Sequence, residues 1–219
     1  MKKIFSILLL LFASGLIYAQ NDDKNLPPVN DSQEIQTIFS NPVKLGWWVS
    51  PEFSYTQFDG RDVYLAGFSG GIIMNHSFSM GFTGFGITNS GSLEYRGIPD
   101  TSDLYLFGGY GGLKLEYRIF PLNMINVAFP LLIGGSGLTY SSWDMNNWDE
   151  NHHENGEPYF WDTNFVIEPG VTVGINLVKF MRLDAGVSYR YAPGLELPDT
   201  DSNMLNGFNA IVSLKFGKF

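Results

Sequence analysis

From residue 44 to residue 219 apolar and polar side chains alternate with a period of two, the repeat of a strand with one apolar and one polar face. Leu45, Trp47, Val49, Phe53 and Tyr55 interleave with Ser50, Glu52, Ser54 and Thr56. Tyr105, Phe107, Leu113, Leu115, Tyr117 and Ile119 interleave with Gly108, Gly112, Lys114, Glu116 and Arg118. The same pattern sets Phe165, Ile167, Val171, Val173, Ile175 and Leu177 against Asn164, Glu168, Thr172 and Asn176. It sets Leu183, Ala185, Val187, Tyr189 and Tyr191 against Arg182, Asp184, Ser188 and Arg190, and Phe208, Ala210, Val212, Leu214 and Phe216 against Asn209, Ser213 and Lys215. Three less regular strands over 63–75, 77–89 and 125–140 bring the expected total to eight. Strands of roughly 10–16 residues, rising about 3.3 Å per residue and tilted near 45°, reach across the hydrocarbon core of a bilayer.

The connections sort by length. They run short (58–62), very short (75–77), long (90–102), short (120–124), very long (141–162), short (178–180) and long (192–205). Placing residue 44 on the periplasmic side puts 75–77, 120–124 and 178–180 there and the three longest outside, as in outer-membrane barrels. Aromatic side chains are expected in two girdles. Tyr55, Tyr64, Tyr105, Tyr140, Trp143, Trp161, Tyr189, Tyr191 and Phe208 fall near the outer interface; Trp47, Trp48, Phe78, Tyr117, Phe120, Phe180 and Phe216 fall near the inner one.

The first residues differ. Lys2 and Lys3 precede an apolar run from Ile4 to Ile17, then Tyr18-Ala19-Gln20 and a polar turn in composition at Asn21. This is the layout of a secretory signal peptide, 1–19, cut after Ala19; the apolar run is too short for a membrane helix. Residues 20–43 form a periplasmic leader with Pro27-Pro28 and, over Gln33–Ser40, room for one or two helical turns; 44–219 form the barrel.

Removing 1–19 takes away two lysines and no acid, so of 13 Lys and Arg 11 remain against 22 Asp and Glu, a formal charge of −11. That balance, taken over the whole mature chain, argues against nucleic acid and against anionic lipid headgroups as partners. The absence of cysteine excludes disulfides and thiolate metal sites. Charged residues make up 16% of the chain and aromatics another 16%, with 25 glycines, whereas soluble domains carry about 25% charged residues.

Periodicity does not say which way the apolar face points. A secreted soluble barrel or sandwich would turn it inward and bathe the other face in water. That other face is largely Gly, Ser and Asn with a few charges of both signs, which suits a narrow lumen better. Apolar side chains converging on a central core would favour the soluble arrangement instead. Pro130 and Pro169 interrupt strands and predict bulges or strand ends, because proline cannot donate to the ladder. The expected fold is therefore all-β, an eight-stranded antiparallel up-and-down transmembrane β-barrel.

Gly108-Gly109-Tyr110-Gly111-Gly112-Leu113 with Leu115-Glu116-Tyr117 resembles a family of uncharacterised small outer-membrane barrels common in Bacteroidota. Leu132-Ile133-Gly134-Gly135, Glu168-Pro169-Gly170-Val171, Gly186-Val187-Ser188-Tyr189-Arg190-Tyr191 and Lys215-Phe216-Gly217-Lys218-Phe219 extend the likeness over roughly 45–219. The resemblance implies the cell outer membrane and a barrel, with no activity attached. The closing phenylalanine resembles the signal that such barrels present to their insertion machinery, although Phe219 falls on the opposite parity from Phe208–Phe216.

The inward-facing charges are Glu52, Lys114, Glu116, Arg118, Glu168, Arg182, Asp184, Arg190 and Lys215, five positive and four negative. An eight-stranded barrel leaves room for side chains only, so buried charges must pair; a lumen closed by ion pairs is expected. Residues 143–157 hold five carboxylates and two histidines, and Asp144, Asp149, Glu150, His152, His153 and Glu154 are candidate metal ligands, for Ca²⁺ in particular. Their spacing matches neither an EF-hand nor a two-histidine helix motif, and a solvated acidic loop is the plainer reading. The outer connections, counted as 58–62, 90–103, 141–162 and 192–205, carry 14 acids against Arg61 and Arg96, which favours cationic or surface partners. His76, His152 and His153 are the only imidazole bases, and none sits in a nucleophile–base pattern. The expected protein is thus a structural or surface-interaction barrel in outer-membrane lipid, not an enzyme. A transporter of small or apolar molecules and, behind it, a lipid-modifying enzyme are the alternatives.

Overall fold

The computed structural model describes residues 43–89, 93–95, 104–141, 160–198 and 200–219. The expected signal peptide, the leader up to Pro42 and the whole 143–157 loop lie outside these residues. No helix occurs among the described residues.

Leu45 opens the first of nine strands: β1 (Leu45–Phe58), β2 (Arg61–Met74), β3 (Phe78–Ile87), β4 (Glu94–Tyr95), β5 (Leu104–Ile119), β6 (Ile125–Ser141), β7 (Phe160–Val178), β8 (Met181–Arg190) and β9 (Gly207–Lys218). Each is antiparallel to its neighbours, and pairings of β1 with β9 and of β3 with β5 close the sheet on itself. The two-residue β4 extends the outer edge of β5 beyond the reach of β3, leaving eight full staves. A closed eight-stranded antiparallel barrel is therefore the fold.

Turn chemistry sets the hairpins. Asp59 and Gly60 both have positive φ (50° and 74°), the geometry of the tight turn that matches strand twist. Asn75 and His76 repeat it at the other end, with φ of 50° and 63°. The Asn75 N–H donates to the Lys44 carbonyl at 2.9 Å, and Asn75 Oδ1 accepts from the Lys44 N–H at 3.0 Å, so this turn is clamped to the entry of β1. The opposite end carries the long connections, as loop sorting predicts.

Outward positions are apolar over the whole circumference. Leu45, Trp47, Phe53, Phe68, Phe82, Phe129, Phe165, Val187, Phe208 and Val212 are all exposed, Phe82 at 72% and Phe208 at 74%. In water such a surface would drive association; acyl chains are its natural solvent, and a closed barrel is the one sheet that satisfies every backbone group there. The barrel is a transmembrane one.

Three sequence expectations need correction. Tyr140 and Trp48 do not belong to the aromatic girdles: both are buried in the lumen, at 0% and 2% exposure. They share the parity of inward neighbours, Ser136 and Ser50 respectively. The prolines produce neither a bulge nor an end in their own strands. β6 and β7 keep one register from Ala128↔Thr172 to Leu131↔Pro169, and only the pairing between these positions lapses. β8 does end, at Arg190, beside Pro169, and a single bridge, Ile167↔Tyr191, resumes the same register beyond it. The irregularity in β7 lies elsewhere, between Asn176 and Val178.

Candidate functional site: the barrel lumen

Every inward charge expected from the sequence does lie inside the barrel, but the nine do not form one network. Two groups carry the ion pairs. Near mid-height, Lys114 Nζ on β5 reaches Glu52 Oε1 on β1 at 2.5 Å; Ser69 donates to the same oxygen at 2.8 Å and Thr83 to Oε2 at 3.2 Å. Closer to the residue-44 end, Arg118, Glu116, Asp184 and Lys215 make a quartet. Arg118 Nη2 lies 2.7 Å from Glu116 and 2.6 Å from Asp184; Lys215 Nζ lies 2.6 Å from Glu116 and 2.9 Å from Asp184. Arg118 also donates to Asn126 Oδ1. Two cations face two carboxylates, each touching both of the other sign. That arrangement offsets desolvation as far as a buried cluster can.

Strand geometry explains the clustering. Glu116 and Arg118 are two apart on β5 and therefore share a face, while the register sets Asp184 on β8 opposite Ser213, beside Lys215 on β9. Gly174 on β7, opposite Asp184, leaves the space that Arg118, Asn126 and the Asp184 carboxylate occupy.

Glu168, Arg182 and Arg190 form no ion pair with a described residue. Glu168 Oε1 accepts from Ser188 at 2.5 Å, whereas its Oε2 receives no hydrogen bond from the described residues. Arg182 donates to Asn176 Oδ1 at 2.6 Å and to the Pro121 carbonyl at 3.3 Å, with its guanidinium 4.2 Å from the Phe219 ring centre. Arg190 Nε donates to the Leu205 carbonyl at 2.7 Å, and the guanidinium sits between the rings of Phe58 and Tyr110 at 4.9 and 4.8 Å. Aromatic faces and carbonyls take the place of carboxylates for these two arginines.

The outer half of the lumen is mainly apolar around the Arg190 guanidinium, which the sequence reading did not anticipate. Phe58, Val63, Leu65, Phe85, Ile87, Leu106, Tyr110, Leu138, Tyr140 and Val166 point inward from the strands. Ala192, Leu195, Leu197, Met204 and Leu205 drop onto them from the connection between β8 and β9. Phe85 and Tyr110 stack at 5.1 Å across the β3–β5 closure. The lumen is thus two layers, ionic towards the residue-44 end and apolar towards the long connections.

At their junction lies a cavity of about 30 Å³ whose lining mixes Glu52, Lys114, Glu168 and Lys215 with Phe85 and Leu132. By the usual measure of about 10–15 Å³ per water, it takes about two. Glu116 and Glu168 both border it, but Glu116 is held by two cations and Glu168 by Ser188, so the pair is not arranged as an acid and a base. His76 sits on the β2–β3 turn. The candidate metal ligands Asp144, Asp149, Glu150, His152, His153 and Glu154 lie outside the described residues. Among the described residues no group of three His, Cys, Asp or Glu side chains could hold a metal ion.

These features define a class: a small transmembrane barrel with a filled lumen. Comparison with solved structures finds proteins of similar fold. Neisserial surface protein A is similar over 82% of this chain and 100% of its own, at 11% identity and a TM-score of 0.52. Ail of Yersinia pestis, in complex with the heparin analogue sucrose octasulfate, matches 79% of this chain and 97% of its own at 11% identity, with a TM-score of 0.45. OprG of Pseudomonas aeruginosa matches 78% and 95% at 10% identity and 0.43. No family model and no curated protein matches the chain.

Proposed function

We propose that the protein is an outer-membrane barrel that conducts nothing and serves as a rigid anchor for a surface-interacting outer face. The filled lumen carries this reading. A steady pore would have to open both a quartet of mutually paired charges and an apolar layer behind it, and the space between them admits about two waters. The outer membrane is supported by the export signal expected at 1–19, by the closed barrel and by its apolar exterior. Neisserial surface protein A, with the same fold, is by its name a surface protein. Kinship with Bacteroidota barrels rests on the sequence blocks quoted above. The outer connections, with 14 acids and two bases, supply a face suited to cationic or cation-bridged partners. Among the described residues no nucleophile and base are paired in a way that would favour an enzyme over this reading.

Planar-bilayer recording of the refolded full chain tests the closed lumen: a flat baseline is expected at any applied potential, and stable unitary conductance would refute it. A transporter of small apolar molecules is the second reading. It requires a continuous void past Lys114 and Glu168, whereas the cavity they line has a volume of only about 30 Å³.

A further inference from the structure

The two ends of the barrel differ in charge as sharply as the two layers of its lumen. At the residue-44 end, the described stretches 43–46, 73–80, 119–125, 177–183 and 215–219 contain Lys44, His76, Lys179, Arg182, Lys215 and Lys218 and not one Asp or Glu. Lys215 belongs to the quartet and Arg182 is turned inward over Phe219, while Lys44, Lys179 and Lys218 are exposed. The far end is acidic, with Asp59, Asp62, Glu196 and Asp201 exposed.

Beside these lysines the same rim is apolar. The β5–β6 turn projects Phe120, Leu122 and Met124 at 64, 75 and 69% exposure, and Phe180 projects from the β7–β8 turn at 61%. A turn facing only water has no reason to carry four such side chains. Apolar groups beside lysine ammoniums are the signature of a surface lying in the headgroup zone, rings and chains in the acyl boundary and cations at the phosphates. Within this rim lies a cleft of about 220 Å³, lined by Lys44, Leu45, Gly46, Ile73, His76, Lys218 and Phe219. Its shape is fixed from both sides: the Asn75–His76 turn is hydrogen-bonded to Lys44, and the Phe219 ring is held on Arg182.

We propose that this cleft seats the phosphate of an anionic phospholipid from the leaflet at the residue-44 end, with Lys44 and Lys218 as its charge partners and Leu45 against the adjoining acyl chain. The assignment rests on the membrane reading above and adds a ligand class to it. Charge complementarity selects the occupant: Lys44, Lys218 and the His76 imidazole line the cleft, and none of the described lining residues has a carboxylate side chain. Against the one main-chain carboxylate of Phe219 the balance is positive, so an anionic headgroup leaves less unbalanced charge than a zwitterionic or cationic one.

The test is native mass spectrometry of the full chain released from micelles containing phosphatidylglycerol or phosphatidylcholine. Selective retention of phosphatidylglycerol is expected. With each lysine near an anionic surface contributing about 1 kcal/mol, Lys44→Gln and Lys218→Gln should each reduce retention roughly fivefold and the double variant about 25-fold. Lys179→Gln, outside the cleft, should leave it unchanged. Equal retention of the two lipids overturns the proposal. So does an equal loss with Lys179→Gln, which would mean diffuse surface attraction rather than a seat. Glycerol phosphate bound as tightly as the lipid would replace the lipid with a soluble phosphate. Heat-modifiable gel mobility, run on every variant, separates the outcomes: a folded barrel without lipid preference refutes only this proposal, and absence of a folded barrel refutes the membrane reading.

Discussion

Asp184→Asn is the most informative single change in the barrel. The carboxylate is 1% exposed and meets Arg118 through both oxygens, at 2.6 and 3.1 Å, and Lys215 at 2.9 Å. At an effective dielectric near 20, a unit pair about 3 Å apart is worth roughly 5 kcal/mol before desolvation. Replacing the carboxylate by an amide removes attraction to two cations and turns an N–H towards donors that also seek acceptors. Glu116 then faces Arg118 and Lys215 alone, leaving one buried positive charge uncompensated. Breaking a buried pair in this way costs about 3–5 kcal/mol. Adding Lys215→Met restores neutrality, so the double variant should lose less than the sum of the singles by about 1–3 kcal/mol. Urea unfolding of the vesicle-inserted protein, followed by tryptophan fluorescence and gel mobility, measures both quantities. A cost for Asp184→Asn below about 1 kcal/mol, or strict additivity in the double variant, would show that the quartet is solvated and not the closed ionic layer described here.

Two glycines in the sheet should respond oppositely to alanine. A Cβ at Gly174 would press into Arg118, Asn126 and Asp184, so Gly174→Ala should cost about 1–3 kcal/mol in the same unfolding assay; a Cβ at Gly137 meets nothing within 4 Å, so Gly137→Ala should be neutral or stabilise by about 0.5–1 kcal/mol. Arg190→Met removes the donor to the Leu205 carbonyl and the cation between Phe58 and Tyr110. Thermolysin cleavage at Leu195, Leu197 or Leu205 should then accelerate about tenfold or more, a hydrogen bond to a charged group being worth about 1.5–3 kcal/mol, and an unchanged digestion rate would mean that the segment is held by its apolar contacts alone.

How much of this was legible in the chain depended on whether the two faces of a strand differ. In β1, β5, β7, β8 and β9 they do, and the parity of Glu52, Glu116, Arg118, Asp184 and Lys215 could be read directly. In β2 the inward Val63 and Leu65 flank the outward Tyr64, and in β6 Leu138 and Tyr140 are inward with Phe129 and Ile133 outward. With both faces apolar, alternation fades, which is why 63–75 and 125–140 looked irregular and why Tyr140 was assigned to the wrong side. Pairing partners were beyond reach for another reason. Charge balance predicts that opposite signs meet, but it does not say that Arg190 settles between two rings while Glu168 takes a serine; register and height decide that.

The segment between β8 and β9 shows why the outer closure belongs to the fold. Its length and its acids, Glu196 and Asp201, suggested a solvated outer connection, yet Leu195 and Leu197 are buried on either side of the exposed Glu196. Strand alternation thus continues into a stretch that pairs with no stave. Gly194, at a φ of 85°, turns the chain so that its own N–H and that of Leu195 both donate to the Ser202 carbonyl, at 3.0 and 3.1 Å. That bend sends Leu195, Leu197, Met204 and Leu205 into the barrel and keeps the carboxylates outside. Fully burying such side chains is worth about 1.5–3 kcal/mol each, so swinging the segment out would cost several kcal/mol before any strand moved. A loop that gates a pore is held by a few weak contacts; this one is part of the core that the outer half of the barrel is built around.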